Sequence, residues 1–181
     1  MNTYCKNEVV SFLKTREAFG GLSNMATGYP ITLYGLRCPT SENLFQALKY
    51  PDSPEIQSEI LGDKNPMSAK MEAKKLVHRQ KIRPDWEEIK LAVMDYCLRA
   101  KLKCNFQQFG GLLLSTGDAD IVEISSKHDT FWGCVPQGDL LVGHNHLGIQ
   151  LTKLREELID DDGGFHDAKL APPDGVELRL M

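Results

Sequence analysis

Apolar residues recur at three- and four-residue spacing along the segment Pro84–Cys104. The stripe consists of Trp86, Ile89, Val93, Tyr96, Cys97, Ala100 and Cys104. This spacing puts all members on one face of an α-helix. Glu87 and Glu88 suit the positive end of that helix, while Lys101 and Lys103 suit its negative end. The pattern therefore predicts a long helix whose apolar face belongs to the core.

Helix signals also mark several shorter segments. Thr40 is a good N-cap for a helix over Ser41–Tyr50. Asn65 followed by Pro66 predicts a helix that runs to Leu76, because proline is favoured at the first helical position. The remaining predicted helices are Pro54–Leu61, Phe106–Leu114 and His146–Leu158.

Strand signals are fewer and shorter. Val9–Phe12, Ile31–Tyr34 and Ile121–Ile124 are rich in β-branched and aromatic residues, and a tight turn is expected at Gly35 after the second of them. Ser125–Asn145 is interpreted as an unusually long loop, and such loops are often functional. Together these elements predict an α+β fold, a compact and mainly helical single domain with a small sheet.

The carboxy-terminal residues differ in composition from the rest. Residues 159–181 are acidic at their start and contain Pro172 and Pro173. We therefore expect a domain over residues 1–158 and a tail, 159–181, outside the core. The alternation of Val176, Leu178 and Leu180 leaves open an edge strand or a contact with a partner.

Bulk composition is that of a globular protein, with 41% hydrophobic and 25% charged residues. No apolar stretch approaches the roughly 20 residues of a membrane helix, and no signal peptide is evident, so a cytoplasmic protein is expected. Five cysteines without a CxxC pair favour reduced thiols. With a net charge of −4, any nucleic-acid contact needs a local basic patch.

A helix over Ser41–Tyr50 carries three residues of chemical interest on one face. Glu42, Phe45 and Lys49 stand at positions i, i+3 and i+7, which aligns a carboxylate, an aromatic ring and an amine. The alternative is structural: Glu42 complements the helix dipole and Lys49 is a solvated end charge.

The predicted long loop holds a second group of candidates. Asp129 beside Trp132 suits a ribose hydroxyl or a water, and we expect the loop to cover a substrate. Asp129 is equally suited to forming a turn, and Trp132 to packing in the core. His144 and His146 lack companion ligands at usable spacing, so no metal is expected. Asn145 is a candidate N-cap of the last helix, whose amides can hold a phosphate.

The order of these motifs along the chain resembles the NADAR family. The matching residues are Leu22-Ser23-Asn24, Pro39-Thr40-Ser41-Glu42-Asn43-Leu44-Phe45-Gln46-Ala47-Leu48-Lys49, Trp86, Met94, Arg99-Ala100-Lys101, Leu113-Leu114, Thr116, Val122-Glu123, Asp129, Trp132-Gly133, Gly143, Asn145, Leu147-Gly148 and Leu154-Arg155. The resemblance extends over about Phe12–Leu158.

This resemblance implies a mostly helical α+β fold and hydrolysis of N-glycosidic bonds to ribose, without a cofactor. One branch of the family acts on phosphorylated intermediates of riboflavin synthesis and releases ribose 5-phosphate. Another removes ADP-ribose from guanine in nucleic acid. The sequence departs from the family at Ala73-Lys74, where a Gly-Arg pair is usual, and between Gly133 and Asn145, so substrate choice stays open.

Roles follow from what N-glycosidic cleavage requires, namely a carboxylate near the sugar carbon, a way to activate water, and groups that hold the base. Glu42 is assigned as the catalytic carboxylate, and Asp129 as a second acid/base or a ribose ligand. Lys49 either holds phosphate or, as a neutral amine, attacks the sugar carbon. The other candidates, all for substrate binding, are Ser23, Asn24, Phe45, Trp86, Arg99, Lys101, Trp132, Gly133 and Asn145.

A rival hypothesis comes from a different functional class. A non-catalytic module that senses ADP-ribose or a related nucleotide needs the same base and phosphate contacts. Such a module can keep Glu42, Lys49 and Asp129 without using them for chemistry. Only turnover separates the two hypotheses.

Overall fold

The computed structural model of this protein describes residues 1–125, 129–160 and 170–179. The strands are β1 (Asn2–Cys5), β2 (Val10–Phe12), β3 (Ile31–Leu33), β4 (Leu36–Cys38), β5 (Ile121–Glu123), β6 (Cys134–Gln137) and β7 (Leu140–Gly143). The α-helices are α1 (Ser41–Ala47), α2 (Pro54–Gly62), α3 (Pro66–Glu72), α4 (Leu76–Arg79), α5 (Trp86–Cys104), α6 (Gly111–Leu114) and α7 (His146–Ile159). These helices and small sheets confirm the predicted α+β class.

The chain forms two compact units. The first consists of Met1–Ala26 and Phe106–Ala168, and the second of Thr27–Asn105 and Lys169–Met181. In the first unit an antiparallel sheet has the order β1-β7-β6, and β2 pairs in parallel with β5. In the second unit β3 and β4 form a hairpin.

The second unit packs its helices around α1. Every residue of α1 is buried, including the polar ones. The predicted N-cap at Thr40 is confirmed, since its hydroxyl accepts a hydrogen bond from the Asn43 amide. The tight turn at Gly35 is confirmed as well, and there Tyr34 and Gly35 both have positive φ.

Two helix boundaries differ from the prediction. The first helix ends at Ala47, so Lys49 lies in the turn after it. The helix that starts at Pro66 ends at Glu72 rather than Leu76, because the backbone becomes extended at Lys75 (ψ 140°) before α4 begins. The carbonyl of Ala73 at this break accepts a hydrogen bond from the Tyr50 hydroxyl.

The long helix is confirmed as α5, and its stripe is core apart from Ile89, which is half-buried, and its last residue. Cys104 is exposed, because it lies in the final turn, where the Sγ atom contacts the carbonyl of Thr32 at 3.5 Å. The segment predicted as helix over Phe106–Leu114 is helical, but it combines a π-helical turn, Phe106–Gly110, with α6.

The prediction of one long loop over Ser125–Asn145 is wrong, because residues 134–143 form the β6–β7 hairpin. Cys134 and Leu141 are buried against Val122, so this hairpin supplies core to the first unit. Gly138, with φ 61°, makes the tight turn between the strands. The last helix is confirmed as α7, which begins at His146.

Part of the tail belongs to the second unit. Val176 is only 1% exposed, which corrects the expectation that the tail lies outside the core. Residues 170–179 contain no strand, and Leu180 lies outside the described residues, as do residues 161–169. Across the described parts of the chain, every helix is too short or too polar to serve as a membrane span.

Candidate functional site

Helix α1 is held in place by a buried amide. The Asn43 Nδ2 atom donates to the carbonyls of Ile60 and Asp63, both at 2.8 Å, and its Oδ1 accepts from the Thr40 hydroxyl at 2.6 Å. Buried polar groups that are fully paired fix the geometry of their surroundings. Asn43 therefore fixes α1 against the end of α2.

Glu42 is a buried carboxylate on this fixed helix, with 5% exposure. Its Oε1 atom accepts a hydrogen bond from Gln46 Nε2 at 2.8 Å and lies 3.4 Å from Lys70 Nζ. Because burying a charge without partners is costly, these two contacts explain how a carboxylate is kept there. Glu42 also lies in the first turn of α1, where its charge complements the helix dipole, as the structural alternative stated.

Lys49 lies against two aromatic rings. Its Nζ atom is 5.6 Å from the centroid of Phe45 and 5.2 Å from that of Trp86, and the two ring centroids are 4.9 Å apart. Burial lowers the pKa of Lys49 to about 8, with Glu42 opposing that shift. A lysine with this pKa exists in part as the neutral amine near neutral pH.

Gln46 lies beside Glu42, and its side-chain carbonyl oxygen is a hydrogen-bond acceptor in unusual surroundings. The residue is 2% exposed, and its amide nitrogen faces Glu42, so the carbonyl oxygen must point the other way. Within the described part of the chain, that Oε1 atom is buried without a hydrogen-bond partner. An orphaned acceptor costs about 1–3 kcal/mol, so the position favours a ligand or water that donates to it.

Arg99 and Lys101 differ in their surroundings. Arg99 forms a 2.7 Å ion pair with Asp95 and is partly exposed. Lys101 is 1% exposed, with Nζ 4.7 Å from the centroid of the Tyr29 ring, and burial lowers its pKa to about 7. Arg99 is thus the more accessible of the two candidates for phosphate.

Asp129 and Trp132 lie in the first unit. The Asp129 carboxylate is exposed, and its Oδ1 accepts hydrogen bonds from the amides of Phe131 (3.1 Å) and Trp132 (3.3 Å). This is the turn-forming role named as the alternative for Asp129. Trp132 is half-buried and meets the Phe131 ring edge-on, with 5.0 Å between centroids.

Asn145 is the N-cap of α7, as predicted, but its side chain binds other elements of the first unit. It accepts from the Glu123 amide and donates to the Ile121 carbonyl, at 3.1 and 2.8 Å. Gly133 is required by packing, because a Cβ atom there would lie 2.5 Å from the Glu123 carbonyl oxygen. Both residues therefore have clear structural roles.

Ser23 and Asn24 are buried in the first unit, each 5% exposed. The Ser23 hydroxyl accepts a hydrogen bond from the Met25 amide at 3.2 Å. That bond closes a turn just after Leu22. The role of these two residues in substrate binding stays a prediction.

Two histidine clusters bear on the question of a metal. The rings of His144 and His146 are stacked, with centroids 5.6 Å apart. Elsewhere, His78 Nε2 lies 3.1 Å from Glu72 and 3.9 Å from Glu59, and the ligand atoms of these three residues lie within 4.8 Å of one another, a grouping that could hold a metal ion. The expected absence of a metal stays a prediction.

Three residues around Glu42 were not predicted as site residues from the sequence, namely Asn43, Gln46 and Lys70. Gln46 stands four residues after Glu42, and this helical spacing was a usable signal. Asn43 was visible only as part of the motif. Lys70 comes from another helix, and no local spacing indicates such a contact.

Comparisons with known proteins agree with these motifs. The family model of the NADAR domain matches residues 11–159. The chain is 36% identical over 154 residues to the N-glycosidase YbiA of Escherichia coli (strain K12), which covers 84% of this chain and 90% of that protein. The NMR structure of YbiA superposes with a TM-score of 0.71 at 35% identity, covering 87% of this chain and 88% of that one.

A second group of relatives carries names from riboflavin biosynthesis. The riboflavin biosynthesis protein PYRR, chloroplastic, of Zea mays is 32% identical over 169 residues, which is 85% of this chain and 26% of that protein. The riboflavin biosynthesis protein VVA0006 of Vibrio vulnificus is 34% identical over 151 residues, 82% of this chain and 38% of that protein. The similarity therefore concerns one part of these longer proteins.

Proposed function

The chain belongs to the NADAR domain family, and from this premise we propose that it is an N-glycosidase that hydrolyses a ribosyl carbon–nitrogen bond. The observation that carries the proposal is a buried carboxylate, Glu42, held beside a partly desolvated amine, Lys49. Relatives named N-glycosidase share most of the chain, which supports the same reaction type.

The chemistry begins with attack on the sugar carbon. The neutral Lys49 Nζ forms a bond to C1 of the ribose, the bond from C1 to the base nitrogen breaks, and the base departs with a proton. Glu42 stabilises the positive charge that develops at C1 and transfers protons between the groups. Opening of the sugar ring leaves an imine between Lys49 and C1, and water hydrolyses it to free sugar and amine.

The surroundings of Lys49 suit these steps. Phe45 and Trp86, which are both buried, lie against the amine and limit its access to water. Lys70, 3.4 Å from Glu42, adds positive charge near a phosphorylated substrate. A sensor module has no need for a lysine whose pKa is lowered, and this favours the enzyme over that rival.

Among substrates, we favour a phosphorylated ribosylamine intermediate of riboflavin synthesis. Relatives named for riboflavin biosynthesis match more than four-fifths of the chain, which supports this choice. ADP-ribosylated guanine in nucleic acid is the competing substrate, since it also offers ribose, phosphate and a planar base.

Incubation of the pure protein with each substrate tests the proposal. We expect release of ribose 5-phosphate from the riboflavin intermediate, and the rate should be unchanged after dialysis against a strong chelator. If the protein releases only ADP-ribose from modified guanine, its substrate is ADP-ribosylated guanine rather than the riboflavin intermediate. Binding without any release would favour the sensor, and loss of activity on chelation that a divalent ion restores would overturn the metal-free mechanism.

Trp132 offers a separate test of base stacking. Trp132 is half-buried, so part of its side chain is open to a ligand. Trp132→Ala should therefore weaken substrate binding by about 1–3 kcal/mol, the scale of a lost base stack. Measurements of substrate affinity and melting temperature on the same variant decide its role. A large fall in melting temperature with unchanged affinity would make Trp132 a scaffold residue.

A further inference from the structure

The C-terminal segment, residues 170–179, is held in the second unit by Gln57 and Arg83, and Arg179 also lies 3.4 Å from Asp52. Gln57, which is fully buried, donates from Nε2 to the Glu177 carbonyl at 3.0 Å and accepts at Oε1 from the Arg179 amide at 2.8 Å. Arg83 donates to the Gly175 carbonyl at 2.8 Å. Between these anchors the Val176 side chain is buried.

Gln57 and Arg83, which hold the C-terminal segment, also bind the backbone on both sides of Leu48. Gln57 Nε2 also donates to the Ala47 carbonyl at 3.4 Å, and the Arg83 amide donates to the Lys49 carbonyl at 2.9 Å. In addition, the Arg83 carbonyl accepts from the Trp86 amide at 3.3 Å. Each anchor therefore connects the C-terminal segment to the turn that carries Lys49.

Arg83 is suited to this task because its own side chain is fixed. Its Nε and Nη2 atoms bind the two carboxylate oxygens of Asp85 at 2.6 and 2.9 Å, a two-point contact with defined orientation. The Arg83 side chain is largely buried as well. The remaining nitrogen is thereby directed to the Gly175 carbonyl.

We propose that the C-terminal segment is a clamp that positions Lys49 against the rings of Phe45 and Trp86, with Gln57 and Arg83 as its positioning residues. The proposal rests on the function proposed above for Lys49. The segment lies beyond residues 11–159, which the family model matches, whereas Gln57 and Arg83 lie within that range.

Release of the clamp should change the ionisation of Lys49. Burial is the main cause of its lowered pKa, so a looser turn that admits water should raise that pKa toward the usual value for lysine. The charged groups that act on the amine are Glu42 from α1, Lys70 from α3, Lys74 just after α3, and Glu87 from α5. None of them belongs to the clamp, so their influence stays in place.

The experiment compares full-length Arg83→Ala and Gln57→Met with the wild type. Both should move the acid limb of the kcat/KM profile upward by roughly one pH unit, with about a tenfold loss of kcat/KM at pH 7, since less of the amine is neutral. Arg83→Lys, which keeps one donor, should fall between. Glu177→Gln is the matched control, because only the backbone of Glu177 contacts Gln57, while its side chain accepts from Arg179 Nε at 2.8 Å and glutamine keeps an oxygen that can accept that bond.

An unmoved acid limb in both folded variants would overturn the clamp, and so would an equal shift in Glu177→Gln. If Arg83→Ala does not fold, Val176→Ala loosens the same segment more gently and gives the same readout. A direct measurement separates this proposal from the proposed function: the pH dependence of Lys49 acetylation, followed by mass spectrometry, reports the amine even if the wild type turns over no substrate.

Discussion

Glu42→Gln is expected to fold normally and to lose hydrolysis by at least about 10²-fold, the usual effect of removing a general acid/base. The substitution keeps the volume of the side chain but removes the charge that stabilises C1 and moves protons. Steady-state kinetics and a melting curve on the same preparation provide the measurement.

Glu55→Gln is the matched control for this variant. Its carboxylate is exposed and pairs with Lys81 at 3.0 Å, away from the Glu42 cluster within the second unit, so activity should not change. Near-normal turnover in Glu42→Gln would remove Glu42 from the mechanism. A fall in melting temperature large enough to explain the loss of activity by unfolding would mean that the role of Glu42 is structural.

Replacement of Lys49 should have the largest effect of all. Lys49→Arg keeps a positive charge but supplies no neutral amine, because arginine stays protonated at every accessible pH. If Lys49 is the nucleophile, this variant should lose at least about 10³-fold in kcat. If it only binds phosphate, Arg should retain much of the activity, since guanidinium groups bind phosphate well.

The pH profile of the wild type gives an independent answer. With a pKa of about 8, a nucleophilic Lys49 requires the neutral form, so kcat/KM should rise as the pH increases through 8. A lysine that acts as a cation would give the opposite slope, with activity falling above pH 8. The sign of the slope therefore decides between the two roles that the sequence left open.

The sequence predicted those elements that local rules determine. Thr40 and Asn65 were recognised as N-caps because a capping side chain acts within three residues, and the apolar stripe identified α5 because its period is fixed by the helix. The helical period also predicted that Phe45 and Lys49 lie near each other, although α1 ends at Ala47, before Lys49. The ring contacts of Lys49 confirm that Phe45 and the amine lie together.

Other features depend on contacts between distant residues and were missed. The β6–β7 hairpin is built from strands of four residues, and its pairing with β1 joins residues such as Thr3 and Val142. Nothing near Cys104 indicates that this last residue of α5 is exposed. The contact between Lys70 and Glu42 joins two helices, and the burial of Val176 depends on a segment far away in sequence.

The central claim is that Lys49 forms an imine with C1 of the substrate sugar, and reductive trapping tests it most directly. Sodium borohydride added during turnover reduces an imine to a stable secondary amine, so the sugar phosphate stays attached to the protein. We expect mass spectrometry to find this adduct on the peptide that contains Lys49, and to find none in Lys49→Arg. Continued turnover with no trapped sugar, or a trapped sugar on another lysine, would contradict the mechanism.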